Sequence, residues 1–393
     1  MQVDGTHQDA ARHISQAMLH TLKTLVIVTI LADSSAGGTD GFSIPSQNSP
    51  TSSTGTAIRA ELSKHTCHVT STDAVEAYRL LQTGNFTEAR VKLQSALRIA
   101  EASAVPEPIN RACLMNMMGF VELQHRRPDL AIGWFERGLE LKPLSDSLAA
   151  LLTSNLASTL CDLNQLDRAE EIARRAIRLS ERAFGSDDPE VTFPQTTLAF
   201  IYVARGEYAS AESILRRVFD QAERTWSPMS YEVSVAANNL AFIYFVRGAY
   251  AGARDLFQKS LAGLESNPMR ARDEIPLTQA ALAASCAAGG RDREANMWME
   301  RALAYAQQEL RSKDPAVPAI LERVAVARFF QRDYKSGRKL FDGAITGLEA
   351  LYGSGSQQVQ DALGRYSDLL GKTGDKSLAK KVEQRRKALA MLP

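Results

Sequence analysis

The sequence predicts an all-α chain: a right-handed α-solenoid, or superhelix, of about eight helix-turn-helix repeats. Three observations predict it. Small residues recur at a fixed step of forty-two, bulky apolar residues recur in register beside them, and a glycine separates the two halves of most units. The clearest unit is Asn238–Leu261, NNLAFIYFVRGAYAGARDLFQKSL. It reads as two amphipathic helices meeting at Ala241 and Ala253 and turning at Gly248, with bulk from Tyr244, Tyr250, Phe257 and Leu261. One such hairpin cannot bury its own apolar face, so it needs neighbours of the same kind.

The neighbours are present. Steps of forty-two from Ala241 reach Ala199 and Ala157 going back, and Ala283, Ala325 and Ser367 going forward. From Ala253 the same step reaches Ala211, Ala169, Ala295, Gly337 and Ala379. Two further units lie around Gly119/Ala131 and Ala77/Ala89, with one short step of thirty-eight between Gly119 and Ala157. Met118, Leu156, Leu198, Leu240, Leu282, Val324 and Tyr366 form the bulky column before the first small residue, and Leu93, Phe135, Leu215, Phe257, Met299 and Phe341 the column after the second. A small residue is needed where two helices cross, because a larger one would force their axes beyond the usual ~8–10 Å.

Taken from the N-terminus, residues 1–36 form a leader. Thr24–Ala32, TLVIVTILA, is apolar and follows Lys23, while small residues follow it at Ser34, Ser35 and Ala36. It is shorter than the roughly 20 residues a membrane-spanning helix requires. Met18–Ala36 has the proportions of a cleavable signal peptide, so export to a periplasmic or extracellular compartment is expected, and otherwise a cytoplasmic chain. Residues 37–66 read as a linker, since Gly37–Thr56 is rich in Gly, Ser, Thr and Pro and has too few apolar residues to offset the entropy of ordering. Ala57–Lys64 reads as a short helix leading into the array, which occupies residues 67–393. Within the array, Gly84, Gly206, Gly248, Gly290 and Gly374 mark turns. Asp187-Asp188-Pro189 and Asp314-Pro315 mark helix starts. Six basic residues between Lys376 and Lys387 give the last helix the polar outer face a terminal repeat needs.

This pattern resembles the tetratricopeptide repeat from about Val69 to Ala390, and is weaker where Glu76, Ser367 and Glu383 stand at expected apolar or small places. The standard unit has about 34 residues, and the longer step is similar to the kinesin-light-chain class of these repeats. Two more columns agree with that class: Phe184, Trp226, Leu310 and Tyr352 at the end of the second helix, and Val191, Val233, Ile275, Val317 and Val359 at the entry to the next first helix.

The resemblance implies a protein or peptide partner held on the concave face of the first helices. Its inward places would hold Phe193, Thr196, Phe200 and Val203 in the fourth unit, and Val235, Asn238, Phe242, Phe245 and Val246 in the fifth. In the seventh they would hold Glu322, Val326, Phe329 and Phe330, with Ala280, Ala284, Ala287 and Ala288 as a shallow floor between. An exposed aromatic-rich groove is therefore expected; the competing reading is that tight winding buries these rings against one another. Asn155, Asn238 and Asn239 are candidates to bond an extended peptide backbone, because an amide both donates and accepts, or else to bond a neighbouring helix. The family's carboxylate clamp of lysine, asparagine and arginine is not matched, since those places hold Ala74, Tyr78, Met117, Ser154 and Asn155.

Other chemistry is not signalled. With 46 basic and 45 acidic residues the net charge of +1 gives no basic footprint, so no nucleic-acid partner is expected. Phosphate-binding glycine loops are absent and no cofactor is implied. No catalytic residue is assigned. Five of the six histidines precede the repeat pattern that begins near Val69, leaving only His125 in it, and the carboxylates of Glu170 and Glu171 face different ways on a helix. No metal site is expected either, because His65, Cys67 and His68 crowd too closely along the chain to converge on one ion. Cys161 and Cys286 read as buried apolar residues, and a bridge between Cys67 and Cys113 is left open should the chain be exported. The function expected is an interaction scaffold. The alternatives are a cytosolic peptide-sensing regulator and a structural subunit that self-associates weakly through its terminal helices.

Overall fold

A computed structural model describes residues 71–82, 85–103, 107–125, 127–268, 270–310, 314 and 316–390. The leader, the linker, Ala57–Lys64, Gly84 and the His65, Cys67 and His68 group lie outside the described residues. Among these there are sixteen α-helices, one 3-10 turn and no strand. The helices are α1 (Thr72–Gln82), α2 (Phe86–Ala102), α3 (Pro108–Gln124), α4 (Pro128–Glu140), α5 (Asp146–Asp162), α6 (Leu166–Phe184), α7 (Thr192–Ala204) and α8 (Tyr208–Thr225). They continue with α9 (Tyr231–Val246), α10 (Tyr250–Glu265), α11 (Glu274–Ala288), α12 (Asp292–Glu309), α13 (Ala316–Phe330), α14 (Tyr334–Tyr352), α15 (Gln357–Lys372) and α16 (Lys376–Leu389). They follow one another as eight hairpins, each odd-numbered first helix with an even-numbered second, so the fold is the expected all-α repeat solenoid. Two compact units divide it between Gln221 and Ala222, within α8.

In the unit ending at Gln221, the small column is fully buried at Ala157, Ala169, Ala199 and Ala211. Gly119 of α3 lies under the Phe135 ring of α4, where an added Cβ would sit 2.7 Å from Cζ. Pro189 opens the 3-10 turn, and the Asp188 side chain caps it by accepting from the Glu190 backbone N–H at 2.9 Å. Val191 then drops into the core and pins the loop.

In the unit from Ala222 onward, Ala241, Ala253, Ala283, Ala295 and Ala325 are again fully buried. Ser367, at the place of an alanine, donates its hydroxyl to the Ala379 carbonyl at 3.0 Å, so a hydrogen bond replaces close packing at that crossing. α16 has one buried side chain, Val382, and exposes Lys376, Lys380, Lys381, Arg385 and Lys387.

The turns carry the repeat step in their dihedral angles. Asn164, Gly206, Gly248, Gly290, Arg332 and Gly374 are each forty-two residues apart, and all have positive φ, from 57° to 93°. The turn geometry is thus constant, although two units place a residue with a Cβ where glycine adopts the conformation freely.

Cys113 is disulfide-bonded. Cys161 and Cys286 are buried, as expected. Burial and the adjacent Glu294 carboxylate push the Cys286 thiol up to about 11.

Candidate functional site

The inner face from α9 to α13 is built by three consecutive first helices. Asn238, Phe242 and Phe245 occupy successive turns of α9, but Phe242 and Phe245 are 0% exposed. The expected open aromatic groove is corrected here. The cause lies in α11, which presents Ala280, Ala281, Ala283, Ala284 and Ala287 and is thin enough for rings from both sides to close over it. Phe245 of α9 meets Phe330 of α13 edge to face at 6.0 Å, and Tyr250 completes the cluster at 5.6 and 6.2 Å from the two rings. Val326 is buried as well, as are the floor residues Ala280, Ala284 and Ala287. Phe329 turns into its own hairpin, against Tyr334 at 5.7 Å and over Gly337, where a Cβ would stand 2.7 Å from its ring. These side chains form core, each burial contributing roughly 1.5–3 kcal/mol.

The two asparagines join helices. The Asn238 side-chain N–H donates to Thr278 Oγ1 of α11 at 2.8 Å. In the other unit, the Asn155 side-chain N–H donates to Asn116 Oδ1 of α3 at the same distance.

Of the charged groups on this face, sequence reasoning placed Glu322 and missed the rest. Glu322 of α13 is gripped by Arg365 of α15 at 2.8 and 3.0 Å. Arg323, beside it, is enclosed, and burial pushes its guanidinium down to about 10. Glu274, in the first turn of α11, accepts from the Tyr231 hydroxyl of α9 at 3.1 Å, and burial raises its carboxyl to about 7. Arg270 lies 3.7 Å over the Tyr231 ring and pairs with Glu232 at 2.9 Å, tying the loop before α11 to α9. The sequence signal was spacing: Tyr231/Glu274 and Glu322/Arg365 are each one repeat step plus one residue apart.

The unit ending at Gln221 keeps an open feature. A depression of about 10 Å³ lies among Phe120 and Leu123 of α3, Phe135 of α4, Asn155, Ser158 and Thr159 of α5, and Phe193 of α7. That is room for about one water at its base. Phe193 is only half-buried at its rim, and Asn155 and Ser158 are each 8% exposed. The structure thus brings the predicted Asn155 and Phe193 together, and places the predicted Phe200 and Val203 in the core. Phe120, Leu123 and Ser158 were not foreseen. Among the described residues no group of three His, Cys, Asp or Glu side chains could hold a metal ion. No described helix is long and apolar enough to cross a membrane.

Comparison with known proteins follows this geometry. Residues 147–224 match a tetratricopeptide repeat family model, and residues 233–266 match a second model of the same description. No curated protein sequence matches the chain. Among solved structures, the apo form of the quorum sensor NprR from B. thuringiensis is similar with a TM-score of 0.59 at 13% identity, over 84% of this chain and 92% of that one. A Rap protein complexed with Competence and Sporulation Factor gives 0.56 at 13% identity, over 81% and 98%. BtubC (BKLC) from P. vanneervenii gives 0.51 at 18% identity, over 56% and 91%. At these identities the likeness is one of fold.

Proposed function

We propose that this tetratricopeptide-repeat chain, of the kinesin-light-chain-like type, is a protein-interaction scaffold that takes an extended peptide or partner helix across α3, α5 and α7. The observation that carries this reading is the depression at Phe193. An aromatic floor and rim stand beside the Asn155 amide and the Ser158 and Thr159 hydroxyls, so apolar and hydrogen-bonding groups converge on one concave spot. A partner side chain would seat on Phe120 and Phe193 while its backbone bonds the polar edge. The open contact surface is thereby moved from α9, whose rings are enclosed, to α7 and its predecessors.

The test is a pull-down with the full chain and with Phe193→Glu. Because Phe193 is half-buried at a rim, the variant keeps its helix content, which circular dichroism checks. Loss of the partners captured by the natural chain is the expected outcome, and recovery of the same set overturns the reading. Phe242→Glu is not a usable probe, since it would place a charge in the core.

A second reading is a regulator that responds to a bound ligand. It is favoured by the shared fold with the quorum sensor NprR and with the Rap protein complexed with its factor. For location we propose export. The disulfide at Cys113 suits an oxidising compartment, and Met18–Ala36 has the proportions of a signal. N-terminal sequencing of the mature protein decides this: a start at Gly37 supports export, and an intact Met1 refutes it.

A further inference from the structure

We propose that the outer edge of α16 docks an acidic helix of another protein. This edge lies in the unit from Ala222 onward, and the inference does not rest on the depression at Phe193. α16 carries six basic residues and one acid, Glu383. The chain as a whole has a net charge of only +1, so everything outside this helix is net negative. The outer face of a terminal repeat needs polarity, not a single sign of charge, and the surplus of cations calls for a further reason.

Ion pairs between consecutive second helices supply that reason, because four of them run in one direction. Glu101 of α2 pairs with Arg137 of α4, and Glu136 of α4 with Arg168 of α6. Glu223 of α8 pairs with Lys259 of α10, and Glu349 of α14 with Arg385 of α16. In each, the earlier helix gives the carboxylate and the later one the cation. A further helix packed on α16 in the same manner would bring cations and would need carboxylates there. The repeat step carries the acid place of Glu223, Glu265 and Glu349 on to Met391, with Gln307 between. The outer edge of α16 is therefore built for a neighbour of the opposite charge.

Three lysines form that edge. At about 100° per residue, Lys376, Lys380 and Lys387 fall within about 40° of one another and roughly 140–180° around the helix from Arg385, along about 16 Å of its length. All three are exposed. The nearby carboxylates are taken: Glu383 holds Arg386 through both oxygens and stands 3.8 Å from Lys387. Asp375 caps the helix at the Leu378 N–H and takes Arg338 of α14 at 2.9 Å. Among the described residues no large apolar side chain of α16 is exposed, so the helix has nothing to insert into lipid. Arg385 and Arg386, whose planar forks suit phosphates, are spent on Glu349 and Glu383. A second copy stacked head to tail would bring the cation side of one helix against the lysines of the other. What fits is a helix of another protein with carboxylates at i, i+4 and i+11, which meets each lysine in turn.

The experiment is fluorescence anisotropy of the full chain with a labelled alanine-based peptide of three heptads, glutamate standing at the first and fifth place of each. Binding is expected at about 50 mM salt and should weaken at least about fivefold at about 300 mM, since exposed charges are screened. Lys376→Glu together with Lys380→Glu should weaken it at least about tenfold. Both lysines are exposed, so the double variant keeps its helix content, which circular dichroism checks. Arg293→Glu, a charge reversal at an exposed place on α12, should change binding less than about twofold, and so should Phe193→Glu at the depression. Equal binding by the natural and doubly substituted chains overturns the proposal, as does equal binding of a peptide with the same composition but its glutamates moved off this spacing. Tighter binding to phosphatidylserine vesicles or duplex DNA that the double substitution abolishes also overturns it. So does a salt-sensitive dimer in light scattering that the same substitution removes, which would make a second copy the occupant.

Discussion

Replacing Glu274 with glutamine should stabilise the chain at alkaline pH and leave it unchanged in acid. Burial moves this carboxyl from an ordinary 4.5 to about 7. At about 1.36 kcal/mol per unit, the charged form is disfavoured in the fold by roughly 3 kcal/mol. The sign follows from proton counts. Between those two values the folded chain holds a proton that the unfolded chain has released, so stability falls as pH rises through the window. Below about pH 4 both states are protonated and nothing is lost, and above about pH 7.5 the full penalty applies. Glutamine has no proton to release and still offers Tyr231 a carbonyl to donate to, so it keeps the contact between α9 and α11. Asp273, raised by burial to about 6, sets a slope of the same sign that the variant retains; Asp273→Asn separates the two. Urea unfolding followed by circular dichroism should show Glu274→Gln more stable by roughly 2–3 kcal/mol near pH 8, and within about 0.5 kcal/mol of the natural chain near pH 4. Equal slopes in both chains, or a variant less stable at pH 8, would refute the reasoning.

Arg332 holds φ at 63° in a turn where four other units have glycine. Arg332→Gly should raise unfolding stability by about 1 kcal/mol, and Asn164→Gly by less, since asparagine tolerates that conformation; a loss in the arginine variant would contradict the turn assignment. Gly119→Ala places a Cβ against the Phe135 ring, which is fully buried and cannot retreat. It should lower stability by roughly 1–3 kcal/mol, with part of the loss recovered by adding Phe135→Leu. If the double substitution recovers nothing, the clash is not the cause.

The hairpins were legible because their requirements are local. Where two helices cross, only a small side chain fits, and where the backbone turns with positive φ, glycine is favoured whatever the neighbours do. The turn column shows that the step is more informative than the residue type. Asn164 and Arg332 do not announce a turn, yet counting forty-two from Gly206 and Gly290 reaches them, and their dihedrals match. Ser367 makes the same point at a crossing, where a hydroxyl bonded to Ala379 stands in for closeness.

Exposure on the inner face was not legible, because it is set by how thick the next helix is. Phe242 and Phe245 have the same helical phase as residues that line an open groove. Their burial follows from α11, whose alanines occupy so little space that Phe330, two hairpins away, closes on Phe245. The shallow floor read from those alanines and the loss of the groove are one fact viewed from two helices. Polar placement failed for a related reason. Asn155 and Asn238 stand where an amide can bond a ligand, but each side-chain N–H goes to the adjacent first helix, at Asn116 and Thr278. Both partners lie one or two residues away from a strict repeat column, so a column reading passes over them. Phe193 stays half-buried at the rim of a depression lined by the Phe120 and Phe135 rings as well as by Asn155, Ser158 and Thr159. Aromatic and polar side chains share that rim, and the proposed contact surface rests on this mixture rather than on the enclosed rings of α9.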